Sequence, residues 1–205
     1  RSSRGLGDVY KRQVIKPHQN DGGLKMLNGN IGKCVAKISA VKEQFRYIKA
    51  KTLVFDDQEE VKKAYEKGKL NRNVIIVVRN QGPKANGMPE LHSLTPMLSN
   101  IQDLGFKVAL LTDGRMSGAS GKILAAIHVT PEAIDNGVIG KIEDDDEIEI
   151  DANNGKLNIL TDISKRKNSL LNDMKKNQSF GRNIFNTLRI HSQGSEEGGG
   201  IKLID

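Results

Sequence analysis

The segment Val74–Val78, V-I-I-V-V, constrains the fold more than any other part of the chain. All five of its residues are β-branched, and branching at Cβ disfavours a helix and favours a strand. A continuous apolar run, rather than an alternating one, indicates a strand that is buried on both faces, which is typical of parallel sheets. We therefore predict that Val74–Val78 is a central strand covered on both sides.

A helix and a second buried strand follow this segment. Leu94–Leu104 repeats apolar residues at helical spacing, and after Gly105 the run Val108–Leu111 is again continuous and apolar. Strand, helix and strand in this order predict a βαβ unit with parallel strands. The polar loops 79–92 and 112–121 then lie at the same edge of the sheet, where ligands of α/β proteins commonly bind. This arrangement would bring Glu90 close to Ser117.

Shorter elements are predicted around this unit. Residues 21–41 alternate glycines and small polar residues with apolar ones, a pattern typical of short strands in a barrel or tightly curved sheet. Capping residues and apolar spacing indicate the other elements. We predict strands over Thr52–Phe55, Val138–Ile142, Glu147–Asp151 and Lys156–Leu160, and helices over Gln58–Lys67, from an N-cap at Thr130 with Pro131 in the first turn, and over Asn183–Ile190.

The charge distribution argues against a nucleic-acid-binding protein. The net charge is +7, but the excess of Lys and Arg lies near the two ends, and residues 26–161 hold as many acidic as basic side chains. Aromatic residues, on which bases could stack, make up only 4% of the chain. We find neither an apolar run of about 20 residues nor a signal peptide. These observations favour a cytoplasmic protein without membrane or nucleic-acid partners.

Composition also suggests three regions. Residues 1–13 show no structural period and begin without Met, so we interpret them as a leader foreign to the natural product. Residues 14–161 hold the predicted strands, and residues 162–205 form a polar and basic helical tail. Cys34 is the single cysteine and is predicted to be a small buried residue. His92 and His128 lack a second ligand at metal spacing and are predicted to be structural.

Two side chains on the predicted polar edge can carry chemistry. The hydroxyl of Ser117 becomes a useful base only if a neighbouring positive charge or base lowers its pKa, and Arg115 or a bound metal can supply that charge. Glu90 offers a hard oxygen ligand, and Mg²⁺ typically takes one or two protein carboxylates. The residues alone leave two other readings open, a plain surface turn for 112–121 and a helix-terminal glutamate for Glu90.

Three long motifs, in order, identify a family resemblance. They are G-P-K-A-N-G-M-P-E-L-H at 82–92, T-D-G-R-M-S-G-A-S-G-K at 112–122 and A-I-H-V-T-P-E-A at 126–133, and G-G-L-K at 22–25 with G-N-I-G at 29–32 also matches. Together they closely resemble the dihydroxyacid/6-phosphogluconate dehydratase family. The forms Q-G-P-K-A-N-G-M-P-E-L-H and S-G-A-S-G-K resemble its phosphogluconate branch.

The resemblance implies a fold and a reaction. The fold would be an α/β domain of the swivelling β/β/α type, a β-barrel-like structure with flanking helices. The reaction would be dehydration of 6-phospho-D-gluconate to 2-dehydro-3-deoxy-6-phosphogluconate in the Entner–Doudoroff route. By analogy Ser117 is the base and Glu90 a Mg²⁺ ligand. Our inference from charge and loop chemistry adds Asp113, Gly114, Arg115 and Gly118 as substrate-binding residues.

The resemblance also implies partners for this chain. Family members are much longer, and their iron–sulfur cluster is held by cysteines in an N-terminal domain, whereas Cys34 is not in a cluster motif. The expected partners are that domain, a sugar-acid phosphate and a second copy of the complete enzyme in a homodimer. We expect the isolated chain to fold and to be inactive. Two alternatives remain, another sugar acid or dihydroxyacid as substrate, and a non-catalytic barrel that serves for binding.

Overall fold

A closed barrel of eight strands forms the centre of the molecule. The computed structural model describes residues 15–17, 22–117, 122–166 and 180–202. Around the barrel the strands lie in the order β1-β2-β6-β5-β4-β3-β7-β8. The strands are β1 Leu24–Gly29, β2 Gly32–Lys37, β3 Tyr47–Phe55, β4 Val74–Val78, β5 Val108–Thr112, β6 Leu124–Thr130, β7 Glu147–Asp151 and β8 Lys156–Ile159.

Four neighbouring strands of the barrel, β3 to β6, are parallel. β4 pairs with β3 on one side and with β5 on the other, and β5 pairs with β6. The remaining neighbours pair antiparallel, except for one parallel contact that closes the barrel between β1 and β8. All five residues of β4 are buried. The predictions of a central β4 strand, a βαβ unit and an α/β barrel are therefore confirmed.

Two separate cores explain why β4 and β5 are apolar on both faces. Ile75 and Val77 belong to one cluster, which also contains inward side chains of the antiparallel strands and fills the barrel. Ile76 and Leu110 belong to a second cluster, which packs the outer face of the same strands against the helices. Successive side chains of a strand point to opposite faces, so each of these strands supplies both cores.

The helices lie at the outer face and at the tail. The structure contains α1 Gln58–Glu66, the short α2 Pro83–Asn86, α3 Thr95–Asp103 and α4 Phe180–Ile190. The Asp57 side chain caps α1 by accepting the backbone N–H of Glu59 at 2.9 Å, and Gly68 follows the helix with φ +68°. In the described part of the chain, no helix is both long and apolar enough to cross a membrane.

Two sequence predictions were wrong. The predicted helix from Thr130 does not begin there, because Thr130 pairs with Lys33 and continues β6, and only a 3₁₀ turn, Ala133–Asp135, follows. The predicted strand Val138–Ile142 is a 3₁₀ helix over Val138–Lys141, in which Ile139 is buried. In both cases pairing and burial against distant residues outweigh the local pattern.

Some predictions lie outside the described residues. They concern residues 1–13, interpreted as a leader, and residues 167–179 of the tail. The tail helix begins at Phe180, three residues before the predicted start, and ends at Ile190 as predicted. The hairpin of β7 and β8 is confirmed, with Ile148 opposite Ile159.

Replacing Leu98 in α3 by Ala tests the outer core. The Leu98 side chain is fully buried, whereas Leu104 at the end of the same helix is 65% exposed. We expect Leu98→Ala to lower the free energy of unfolding by about 2–5 kcal/mol, because it removes apolar contacts and leaves a cavity. Leu104→Ala should change it by less than roughly 0.5 kcal/mol. Urea unfolding of both variants measures the difference, and equal losses would contradict this account of the core.

Candidate active site

Two loops meet where β4 and β5 end. The first rim loop, residues 79–92, follows β4, and the second rim loop follows β5 and is described over residues 113–117. The strands are parallel neighbours, so their carboxyl ends deliver both loops to the same edge of the barrel. An isolated parallel bridge joins Glu90 to Arg115, and the N–H of Leu91 donates to the carbonyl of Arg115 at 3.2 Å. The predicted meeting of the two loops is confirmed.

The carboxylate of Glu90 is the centre of this meeting. Its Oε1 accepts the backbone N–H of Ser117 at 2.6 Å and that of His92 at 3.1 Å. Its Oε2 lies 3.2 Å from the Nη1 of Arg115. Arg115 in turn donates from Nε to the carbonyl of Met88 at 2.9 Å. Glu90 and Ser117 are therefore in direct contact, and a carboxylate, a guanidinium and a serine lie together.

The site is open to solvent and holds one ion pair, between Glu90 and Arg115. The side chains of Glu90 and Arg115 are 33% and 51% exposed, and Ser117 is exposed. Burial, together with the charge of Arg115, lowers the pKa of His128, whose backbone N–H donates to the carbonyl of Gly114 at 2.9 Å. The imidazole is therefore neutral near pH 7. His128 contributes no second positive charge beside Arg115.

Asp113 lies beneath the rim. Its side chain is fully buried and accepts three backbone N–H groups, from Asn80 at 3.1 Å, from Gln81 at 2.8 Å and from Ala133 at 3.1 Å. Burial raises the pKa of this carboxyl, and the N–H groups oppose the shift. The structure thus directs Asp113 to the backbone of neighbouring loops and not to the exposed side of the rim. A role toward substrate stays a prediction for this residue.

Gly114 allows the two rim loops to pack closely against each other. A Cβ at this position would lie 2.6 Å from the Cβ of Gln81, which is closer than such atoms approach. Only glycine lets the backbones of the two rim loops come this close. Gly118, the remaining predicted substrate-binding residue, lies outside the described residues.

Sequence reasoning missed Glu132. This residue is 1% exposed, and its Oε2 accepts the backbone N–H of Lys84 at 3.2 Å. Burial, and secondarily the charge of Asp113, raises its pKa to about 7. The sequence pattern Thr-Pro-Glu indicated the first turn of a helix, where a glutamate is exposed. Only the burial of Glu132 beside Asp113 distinguishes it, and no local signal reports that burial.

The residues present fit an iron–sulfur cluster poorly and Mg²⁺ in part. Cys34, the single cysteine of the chain, is buried, and burial raises the pKa of its thiol to about 12. A cluster ligand must be a thiolate, so Cys34 is unsuited, and its prediction as a small buried residue is confirmed. Glu90 provides one oxygen ligand. Within the described ranges there is no group of three His, Cys, Asp or Glu side chains that could hold a metal.

A cavity of about 360 Å³ adjoins Ser117. Its walls come from the second rim loop, the apolar outer side of β6 and the neighbouring ends of β1 and β2. Ser117 and Lys37 are the side chains with polar groups among its lining, which otherwise consists of Gly22, Leu24, Met116, Ile123, Ala125 and Ile127. The cavity therefore places one cationic group and one hydroxyl on an otherwise apolar surface.

The family described as dihydroxy-acid/6-phosphogluconate dehydratase, C-terminal, matches residues 11–199. The chain belongs to this family. The match begins inside residues 1–13, the region interpreted above as a leader.

The individual relatives carry a more specific name. Phosphogluconate dehydratase of Helicobacter pylori strain J99 is 47% identical over 98% of this chain and 35% of its own length. Phosphogluconate dehydratase of Rhizobium meliloti is 51% identical over 92% of this chain and 32% of its own length. That of Zymomonas mobilis is 54% identical over 75% and 25%. The chain thus spans about a third or less of the length of these relatives.

Replacing Glu132 by Gln tests the ionisation of this buried carboxyl. Its pKa lies near 7 in the folded chain and at about 4.5 ordinarily, so the folded state holds the proton more tightly and loses stability as pH rises from about 4.5 to 7. The glutamine side chain of the variant would remain neutral. We expect Glu132→Gln to have little effect on the free energy of unfolding at pH 5 and to raise it at pH 8, by at most about 3 kcal/mol.

The matched control is Glu59→Gln, the same substitution at the surface of α1. Glu59 is 57% exposed and forms an ion pair with Lys62, so the loss of its charge should cost less than about 1 kcal/mol at either pH. Denaturant unfolding at pH 5 and pH 8 measures both variants. An equal effect of Glu132→Gln at the two pH values would exclude the raised pKa.

Proposed function

We propose that this chain is the C-terminal part of a hydro-lyase that dehydrates 6-phospho-D-gluconate to 2-dehydro-3-deoxy-6-phosphogluconate. Family membership and the name of the relatives support the proposal. The observation that carries it is the 2.6 Å contact between the N–H of Ser117 and the carboxylate of Glu90, which unites the two residues expected to act on the substrate. The reaction removes a proton from C2 and hydroxide from C3, and the resulting enol becomes the 2-keto acid.

Ser117 acts as the base in this proposal. A proton beside a carboxylate is weakly acidic, so the base must be stronger than a neutral hydroxyl. Arg115, two residues before Ser117, is held by Glu90 and the carbonyl of Met88. Its positive charge would favour an alkoxide over a hydroxyl once a bound cation neutralises Glu90, whose negative charge otherwise opposes the alkoxide. The exposed position of Ser117 on the wall of a 360 Å³ cavity allows the substrate carbon to approach.

Glu90 has the second role. The N–H groups of Ser117 and His92 and the guanidinium of Arg115 fix its carboxylate, and a fixed carboxylate is a preorganised oxygen ligand for Mg²⁺. The residues described here hold no iron–sulfur cluster; the one that the family resemblance implies would supply Lewis-acid chemistry for loss of the C3 hydroxyl. The ligands of that cluster would come from the part of the enzyme that precedes this domain.

Lys37 provides selectivity for an anionic substrate. Lys37 lines the same cavity as Ser117. A sugar-acid phosphate carries a carboxylate and a phosphate, and a lysine ammonium attracts either group.

The rest of the proposal concerns partners and location. The N-terminal domain would cover the rim, the complete enzyme would be a homodimer, and an enzyme that acts on a phosphorylated sugar acid would be expected in the cytoplasm.

A chimeric enzyme tests the function. This chain replaces the matching C-terminal third of the Helicobacter pylori phosphogluconate dehydratase, and release of 2-keto acid is measured with 6-phosphogluconate. We expect turnover of that substrate. Failure with 6-phosphogluconate but turnover of gluconate or of a branched dihydroxyacid would establish one of the alternative substrates. The isolated chain should be inactive, and its turnover would refute the need for a second domain.

The Ser117→Ala variant of the chimera tests the base. We expect loss of at least about 10³-fold in kcat, because the group that accepts the proton is removed, and an unchanged visible absorption spectrum of the cluster. Ser93→Ala is the control, since Ser93 lies after the first rim loop and donates to Gln58 at the surface. Retained activity in Ser117→Ala would remove the base from this position.

A further inference from the structure

Glu132 is a buried polar group that the proposed reaction does not use. It borders a cavity of about 330 Å³ between the first rim loop, the turn Ala133–Asp135 and the segment Gly194–Glu197. Its Oε1 is buried and has no hydrogen-bond partner among the described residues. Burying a polar atom without a partner is costly. The burial of Glu132 therefore needs a compensating contact, and its second oxygen, Oε2, provides one.

The other oxygen holds the first rim loop. Oε2 of Glu132 accepts the N–H of Lys84, in the first turn of α2, at 3.2 Å. A Cβ on the nearby Gly82 would lie 2.1 Å from the same oxygen. The loop backbone therefore packs directly on the carboxylate, and only a glycine permits that approach.

The short helix α2 connects this contact to the site. The carbonyl of Gly82 accepts the N–H groups of Asn86 at 3.0 Å and of Gly87 at 3.1 Å, which makes α2 a single closed turn. Directly after it, the carbonyl of Met88 accepts the Nε of Arg115, the residue that pairs with Glu90. The first turn of α2 thus contacts Glu132, and Met88, two residues after the end of α2, contacts Arg115, the partner of Glu90.

We propose that Glu132 is a positioning residue, which fixes α2 and thereby sets the direction in which Glu90 is presented to Ser117. The significance of this direction for catalysis rests on the proposed function. The contact between Glu132 and the first rim loop is a property of the chain alone.

The charges around Glu132 make its hold on the loop sensitive to protonation. Asp113, directly after β5, and Asp135, in the turn after β6, repel an ionised Glu132, whereas the ammonium of Lys84, which pairs with Asp135 at 2.7 Å, attracts it more weakly. Across the cavity lie two further carboxylates, those of Glu196 and Glu197. No cation compensates an ionised Glu132 within hydrogen-bond distance among the described residues. Its pKa of about 7 places the change between the two states near neutral pH.

Nuclear magnetic resonance of the ¹⁵N-labelled 205-residue chain tests the proposal. The amide signal of Ser117 reports its 2.6 Å hydrogen bond to Glu90, and it is followed from about pH 5.5 to about pH 8.5, on either side of the expected transition. We expect an inflection near pH 7 in the unmodified chain. Glu132→Gln should abolish this inflection and keep the signal near its low-pH position, because glutamine resembles the protonated acid. Glu132→Ala should displace the signal at every pH.

Two comparisons separate positioning from general damage. Glu59→Gln, at the surface of α1, should keep the inflection, and the signals of the β7–β8 hairpin should stay unchanged in all variants. An inflection caused by His128, whose pKa is lowered, would persist in Glu132→Gln. The proposal is wrong if Glu132→Gln keeps the full inflection near pH 7. If Glu132→Ala does not fold, the glutamine variant alone decides. Failure of the chimera to dehydrate 6-phosphogluconate would overturn the function and leave this result unaffected.

Discussion

The site depends on the buried carboxylate of Asp113. Three backbone N–H groups, from Asn80, Gln81 and Ala133, converge on its two oxygens. Asp113 follows β5, and its three donors lie just after the ends of β4 and β6, so one side chain joins three parallel strands where their loops begin. Each N–H would otherwise be buried without an acceptor, which makes the carboxylate a requirement of this arrangement rather than an addition to it.

From this junction the rim loops diverge and meet again at Glu90. Glu90 is held by two backbone N–H groups and a guanidinium, all of them from the rim loops themselves. The parallel strands of the barrel bring the two loops to the same edge. Contacts within the loops then set the distances from Glu90 to Ser117, His92 and Arg115. A site made in this way is fixed mainly by backbone atoms, so its geometry tolerates exposure to solvent better than a set of flexible side chains would.

The parts of this molecule that the sequence could predict are those with a local cause. Five β-branched residues in β4 require a strand, and parallel order then brings Glu90 to Ser117. The strand β6 and the turn after it could not be predicted, because Thr130 looks like an N-cap and becomes a strand residue only by pairing with Lys33. Glu132 was missed for the same reason: burial, and secondarily the charge of Asp113, which lies 19 residues earlier in the chain, raises its pKa, and both depend on distant residues.

The motifs that identify the family therefore contain two kinds of residue. Gly82 and Gly114 have no functional group, yet a Cβ at either position would collide with Glu132 or Gln81. Together with Asp113 they allow two backbones and two buried carboxyl groups to occupy one small volume. Glu90, Arg115 and Ser117 lie on the loops that these residues hold in place, and all three are at least partly exposed to solvent. A substitution of Gly82, Gly114 or Asp113 would displace the loops that carry the exposed residues, without removing any group that contacts substrate. A residue of the motif therefore need not contact substrate to be required.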